Sequence, residues 1–94
     1  MQKYEIMYIL KANLEEEARK ELIAKLHGIL TEHGALIRDV KEWGLKDLSY
    51  PIKDEIKGYY VVIKITSEPQ ATGEFDRLTK INANVLRHLV VVDQ

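Results

Sequence analysis

The side chains able to do chemistry in this chain are few, and most sit at spacings that suit no reaction. His27, His33 and His88 match no metal-binding pattern such as HExxH. Glu15, Glu16 and Glu17 are consecutive, and consecutive helix positions point in different directions. They suit a helix N-terminus, where the dipole favours negative charge, better than a metal cage. Gly44 and Gly58 belong to no phosphate-cradling glycine loop, and Ser49 and Ser67 lack a nucleophile-elbow context. The chain has 0 cysteines, which excludes disulfides, thiolate metal sites and cysteine nucleophiles. These readings predict no catalytic centre, no metal, no cofactor and no small-molecule substrate.

What remains is basic, amide-bearing and aromatic. From Arg77 to Val92 there is no acidic residue, while Lys80, Asn82, Asn84, Arg87 and His88 all fall there. Arg38, Lys41, Lys46, Lys53 and Lys57 alternate with acids in the middle of the chain, beside Trp43 and Tyr50. Cations that neutralise phosphates, with flat rings that pack on sugars or bases, are the chemistry of RNA contact. The formal net charge is −1, from 14 Lys+Arg and 15 Asp+Glu, so any such surface is local.

These groups must be positioned by a small fold. Ninety-four residues, 46% hydrophobic and 31% charged, predict one globular domain over 1–94. No apolar run approaches the roughly 20 residues of a membrane span and no signal-peptide core opens the chain, so the expected location is cytoplasmic, with no membrane partner.

Tyr4–Leu10 alternates as a strand, with Tyr4, Ile6, Tyr8 and Leu10 on one face and Met7 and Ile9 on the other. Both faces are apolar, which predicts a central strand. Asn13 is the expected N-cap of a helix from Leu14 to His33, which Gly34 ends. Leu36–Tyr50 reads as an irregular edge strand, bulged near Gly44 and carrying Pro51 just beyond it. Lys53–Gly58 is the expected turn. Tyr59–Thr66 follows as a strand with Tyr59, Val61, Ile63 and Ile65 on a wholly apolar face. Ser67-Glu68-Pro69-Gln70 combines a capping box with a proline, starting a helix that runs past Phe75 and Leu78. After a turn at Asn82-Ala83-Asn84, Val85–Val92 is a β-branched closing strand.

The order β-α-β-β-α-β, with right-handed crossovers, predicts an α+β ferredoxin-like sandwich: a four-stranded antiparallel sheet with two helices on one face. The other face is left open, and function is expected there. Lys57-Gly58-Tyr59-Tyr60-Val61-Val62 invites comparison with the RNP1 strand of the RRM. That module displays the third and fifth motif positions on its open face. Here they are Tyr59 and Val61, which must meet the helices, so the comparison fails on parity.

Trp43-Gly44-Leu45-Lys46 with Leu48-Ser49-Tyr50-Pro51-Ile52-Lys53 resembles the signature of a bacterial small-subunit ribosomal protein family, the sixth protein of that subunit. Lys3-Tyr4-Glu5-Ile6, Gly34, Gly58-Tyr59-Tyr60, Glu74-Phe75-Asp76-Arg77-Leu78 and Val85-Leu86-Arg87-His88-Leu89-Val90-Val91 resemble it in the same order. The resemblance implies the same ferredoxin-like fold and a structural, non-enzymatic role on the central domain (platform) of small-subunit rRNA. It also implies a heterodimer with the eighteenth small-subunit protein. By correspondence, Lys3, Tyr4, Lys46, Tyr50 and Arg87 are expected to contact RNA. Lys53, Lys80, Asn82 and Asn84 join them from the charge distribution. Trp43, Leu48, Tyr60, Val62, Leu89 and Val91 are expected at the protein interface. Gln2, Asp47 and Val92 stand where the family often carries basic residues, which implies weak RNA binding without the partner. A second reading of the fold is a regulatory domain that self-dimerises through its sheet and binds a small metabolite.

Overall fold

The computed structural model describes residues 1–93. Among them the chain forms β1 (Gln2–Lys11), α1 (Glu16–Glu32), β2 (Leu36–Ile52), β3 (Glu55–Ser67), α2 (Pro69–Lys80) and β4 (Val85–Val92). The strands make one antiparallel sheet in the order β2-β3-β1-β4, so β1 and β3 are central and β2 and β4 are edges, as the patterning predicts.

Parity decides which face the helices cover. Ile6, Tyr8 and Leu10 of β1 and Val61, Ile63 and Ile65 of β3 are each fully buried. They pack with Leu26, Ile29 and Leu30 of α1 and with Ala71 and Phe75 of α2 in one core. Each buried Val, Leu, Ile or Phe side chain among them contributes roughly 1.5–3 kcal/mol by leaving water. This core fixes the sheet, and with it the parity of the open face.

The differences from the sequence reading lie at element ends, where strand pairing outcompetes local capping. β1 extends to Lys11, which pairs with Gly58 and donates its amide to the Asn84 carbonyl at 3.0 Å. Ala12 and Asn13 are then consumed by the turn, and Glu15 rather than Asn13 takes the N-cap of α1, with no side-chain cap bond. Ser67 likewise ends β3, opposite Gln2, instead of capping α2. Glu68 takes that position, with Pro69 in the first turn. Gly34, at φ +86°, does end α1: its amide and that of Ala35 return to the carbonyls of Thr31 and Leu30. The expected turn Lys53–Gly58 shrinks to Lys53 and Asp54, at φ 50° and 66°, because two left-handed residues close a two-residue hairpin. β2 therefore continues through Pro51 to Ile52. Its bulge beside Gly44 (φ +86°) is present, with further register breaks at Ile37/Asp39 and Asp47/Ile52.

One polar pair ties β1 to α1. The Tyr8 ring is fully buried, and its hydroxyl shares a hydrogen bond of 2.8 Å with His27 Nε2. Burial holds the Tyr8 phenol protonated and pushes the His27 imidazole below its ordinary value, against a smaller opposing pull from Glu42. Folding therefore favours neutral His27, and the unfolded chain binds the extra proton once the pH falls below about 6.5. The stabilisation is complete above that pH and is lost as pH falls through the lower folded value. Urea midpoints measured between pH 7.5 and 5 should fall more steeply for the wild type than for His27→Gln. Parallel profiles would show that His27 does not carry this dependence.

Candidate interface on the open sheet face

The face opposite the helices is built from the odd residues of β1 and β4 and the even residues of β3. Register aligns Met7 with Val62 and Leu89, and Ile9 with Tyr60 and Arg87. Trp43, in the β2 bulge, stacks on Tyr60 with ring centroids 6.4 Å apart and planes 14° from parallel. Lys46 Nζ lies 5.1 Å from the Trp43 centroid, so the indole holds this ammonium by a cation–π contact. Trp43, Leu89 and Val91 are about half exposed, at 51%, 49% and 44%. Val62 is only 7% exposed, between Met7 and Lys41 in the register, so it shapes this surface from beneath.

The end of the β2–β3 hairpin crosses this face towards the far edge. Arg87 of β4 donates to the Tyr50 hydroxyl at 2.5 Å, and Lys53 Nζ donates to the Val85 carbonyl at 3.4 Å. Beneath the crossing is a depression of about 140 Å³ lined by Met7, Ile9, Leu48, Tyr50, Tyr60 and Leu89, among others. Gly58 permits the close approach, since a Cβ there would lie 2.3 Å from Ile9 Cγ2.

The residues expected at an RNA surface divide into groups. Tyr50, Lys53 and Arg87 meet at the hairpin crossing, and Lys46 lies apart on Trp43, opposite Gly58 in the register. Lys3 lies on the same face six residues before Ile9, about 20 Å away at strand rise. Tyr4 has the other parity and packs against the core. Lys80 pairs with Asp76 at 3.0 Å. The Asn82 side chain accepts the Asn84 amide at 2.9 Å, and the Asn84 carbonyl accepts from Lys11, so both residues build the turn into β4. Asp76 also receives His88 Nε2 at 2.5 Å; His88 first, then Lys80, holds its carboxyl below the usual range. Among the described residues Lys3, Lys46, Lys53 and Arg87 have no carboxylate within ion-pair distance, whereas Arg38, Arg77 and Lys80 do. Met7 and Ile9, the floor of the depression, were not singled out in sequence, although period-two parity already places them on this face.

Among the described residues no group of three or more His, Asp or Glu side chains could hold a metal, and no helix is long and apolar enough to cross a membrane. The fold is a ferredoxin-like sandwich whose open face joins stacked aromatics, exposed aliphatics and cations that, among the described residues, have no carboxylate partner. The family model described as Ribosomal protein S6 matches residues 3–92, and the chain belongs to that family, a family of small-subunit ribosomal proteins. It is similar to the crystal structure of 30S ribosomal protein S6 from Thermotoga maritima, with a TM-score of 0.93 and 26% sequence identity over 98% of this chain and 87% of that one.

Proposed function

We propose that this chain is a non-catalytic structural component of the small subunit that binds the central domain of its rRNA jointly with the eighteenth small-subunit protein. The observation that carries the reading is the division of the open face. Trp43, Leu89 and Val91 expose apolar surface next to Lys46, Lys53 and Arg87, which no carboxylate among the described residues neutralises. The cations neutralise phosphates, Tyr50 packs against sugar or base, and the apolar strip receives the partner. With a net charge of −1, RNA affinity is weak until the partner has added its own contacts and fixed the geometry.

The test is a titration of a central-domain rRNA fragment with this protein, with and without the eighteenth protein, over a range of salt. Binding should be tight only in the mixture and should weaken steeply with salt. Lys46→Ala and Arg87→Ala should each reduce the slope of log K against log salt by about 1, while Lys80→Ala, whose charge already faces Asp76, should change it less. Salt-independent binding, or binding indifferent to the second protein, would overturn the reading. The alternative of a metabolite-binding self-dimer has less support: the depression of about 140 Å³ and a second of about 270 Å³ between α1 and α2 both fall below the roughly 300 Å³ of a small-molecule site.

A further inference from the structure

The two sheet edges are treated differently. β2 carries three register breaks, Pro51 and the charges of Arg38, Asp39, Lys41, Glu42, Lys46 and Asp47, the devices that stop an edge from pairing with another chain. β4 has its irregularity only near its start, where the register shifts opposite Ile9 and Leu10. From Leu89 to Val92 it is in unbroken register with β1, uncharged and free of proline, and Leu89, Val91 and Val92 are 49%, 44% and 51% exposed.

The backbone of this edge is unsatisfied on one side. The Asp93 amide donates to the Lys3 carbonyl at 2.9 Å, which sets the phase of the ladder. In an antiparallel pair the bonded positions alternate. Glu5–Val91, Met7–Leu89 and Ile9–Arg87 are therefore the bonded pairs, and His88, Val90 and Val92 turn their N–H and C=O groups outward. Among the described residues nothing bonds to them. Alternating outward donors and acceptors at every second residue match an extended peptide backbone, which supplies both at the same spacing.

We propose that an extended segment of the partner protein adds to the sheet along β4 as a fifth strand, laying apolar side chains over Leu89 and Val91. This rests on the joint-binding reading and makes the exposed strip and the free edge one continuous interface. A second copy of this chain fits less well. Antiparallel self-pairing about Val90 sets Arg87 opposite Asp93, but both are already engaged within the chain, Arg87 with the Tyr50 hydroxyl at 2.5 Å and Asp93 with Arg38 at 3.3 Å. Parallel self-pairing sets Arg87 against Arg87.

The experiment is amide-resolved hydrogen exchange on the full chain, alone and mixed with the eighteenth small-subunit protein. The amides of His88, Val90 and Val92 should exchange at least about tenfold more slowly in the mixture, with those of Leu89 and Val91 much less affected. Val92→Pro, at the exposed end of the strand where the N–H already points outward, should fold normally and bind the partner several-fold more weakly. A complex that forms without protecting those three amides would overturn the fifth strand while leaving joint binding intact. The absence of any complex would remove both. Concentration-dependent protection in the protein alone would assign the edge to a second copy and overturn the proposal.

Discussion

Phe75→Ala should lower stability by about 3–5 kcal/mol, the usual cost of emptying a fully buried phenylalanine site. Phe75 is fully buried, and its ring lies 6.1 Å from Tyr8 of β1 and 6.3 Å, edge-on, from His88 of β4. It therefore joins α2 to a central strand and to the edge strand that bears Arg87. Whole domains are worth only about 5–15 kcal/mol, so this change removes a large fraction of the total. The urea midpoint should fall by roughly 2–4 M at ordinary slopes for this size. Phe75→Leu, which refills most of the space, should lose much less. A fall below about 1 kcal/mol for the alanine variant would mean that α2 is held elsewhere, for instance through Ala71 and Leu78. The proposed interface lies on the other side of the sheet. Below the unfolding transition the variant should keep the salt slope of the wild type in RNA binding.

The separation of the core from the open face was legible in the sequence because it rests on parity, a local property of each strand. Tyr59, Val61, Ile63 and Ile65 could face only a hydrophobic layer, and the same alternation sent Tyr60, Leu89 and Val91 to the open face and ruled out the RRM arrangement. The caps were misread for a physical reason. Asn13 and Ser67 are good capping residues, but a ladder bond is available one residue beyond each expected strand end: Lys11 opposite Gly58, and Ser67 opposite Gln2. At both ends the ladder pairing is made and no side-chain cap bond forms. Least legible was the convergence of the site. Tyr50 and Arg87 stand 37 residues apart, and the contact between them depends on how far the hairpin arches over the sheet. Nothing local encodes that curvature except the bulges and Gly58. Charge alone also could not separate Lys80, committed to Asp76, from Lys46, held ready on Trp43.

Gly58→Ala should therefore damage function in a way that Phe75→Ala does not. The added Cβ would lie 2.3 Å from Ile9 Cγ2, with Leu48 Cδ2 and the Leu10 carbonyl each at 3.5 Å. Ile9 cannot swing aside cheaply, being β-branched and only 3% exposed. The expected relief is a shift of Ile9 toward the depression, where it presses on Leu48 and the hairpin above it. Overpacking of this kind costs about 1–3 kcal/mol. The larger consequence is geometric, because lifting Leu48 draws Tyr50 away from Arg87 and opens the depression beneath the crossing. Partner-dependent RNA affinity should fall about tenfold in conditions where the variant is fully folded, the equivalent of one charge-assisted hydrogen bond. Pairing the change with Ile9→Ala isolates the cause. If the clash drives the effect, the double variant loses less than the sum of the single losses, with a coupling of about 0.5–3 kcal/mol. Strict additivity would mean that the strand backbone absorbs the methyl group and that the hairpin stays where it is. In that case Gly58 would be permissive at this position rather than required for the arch.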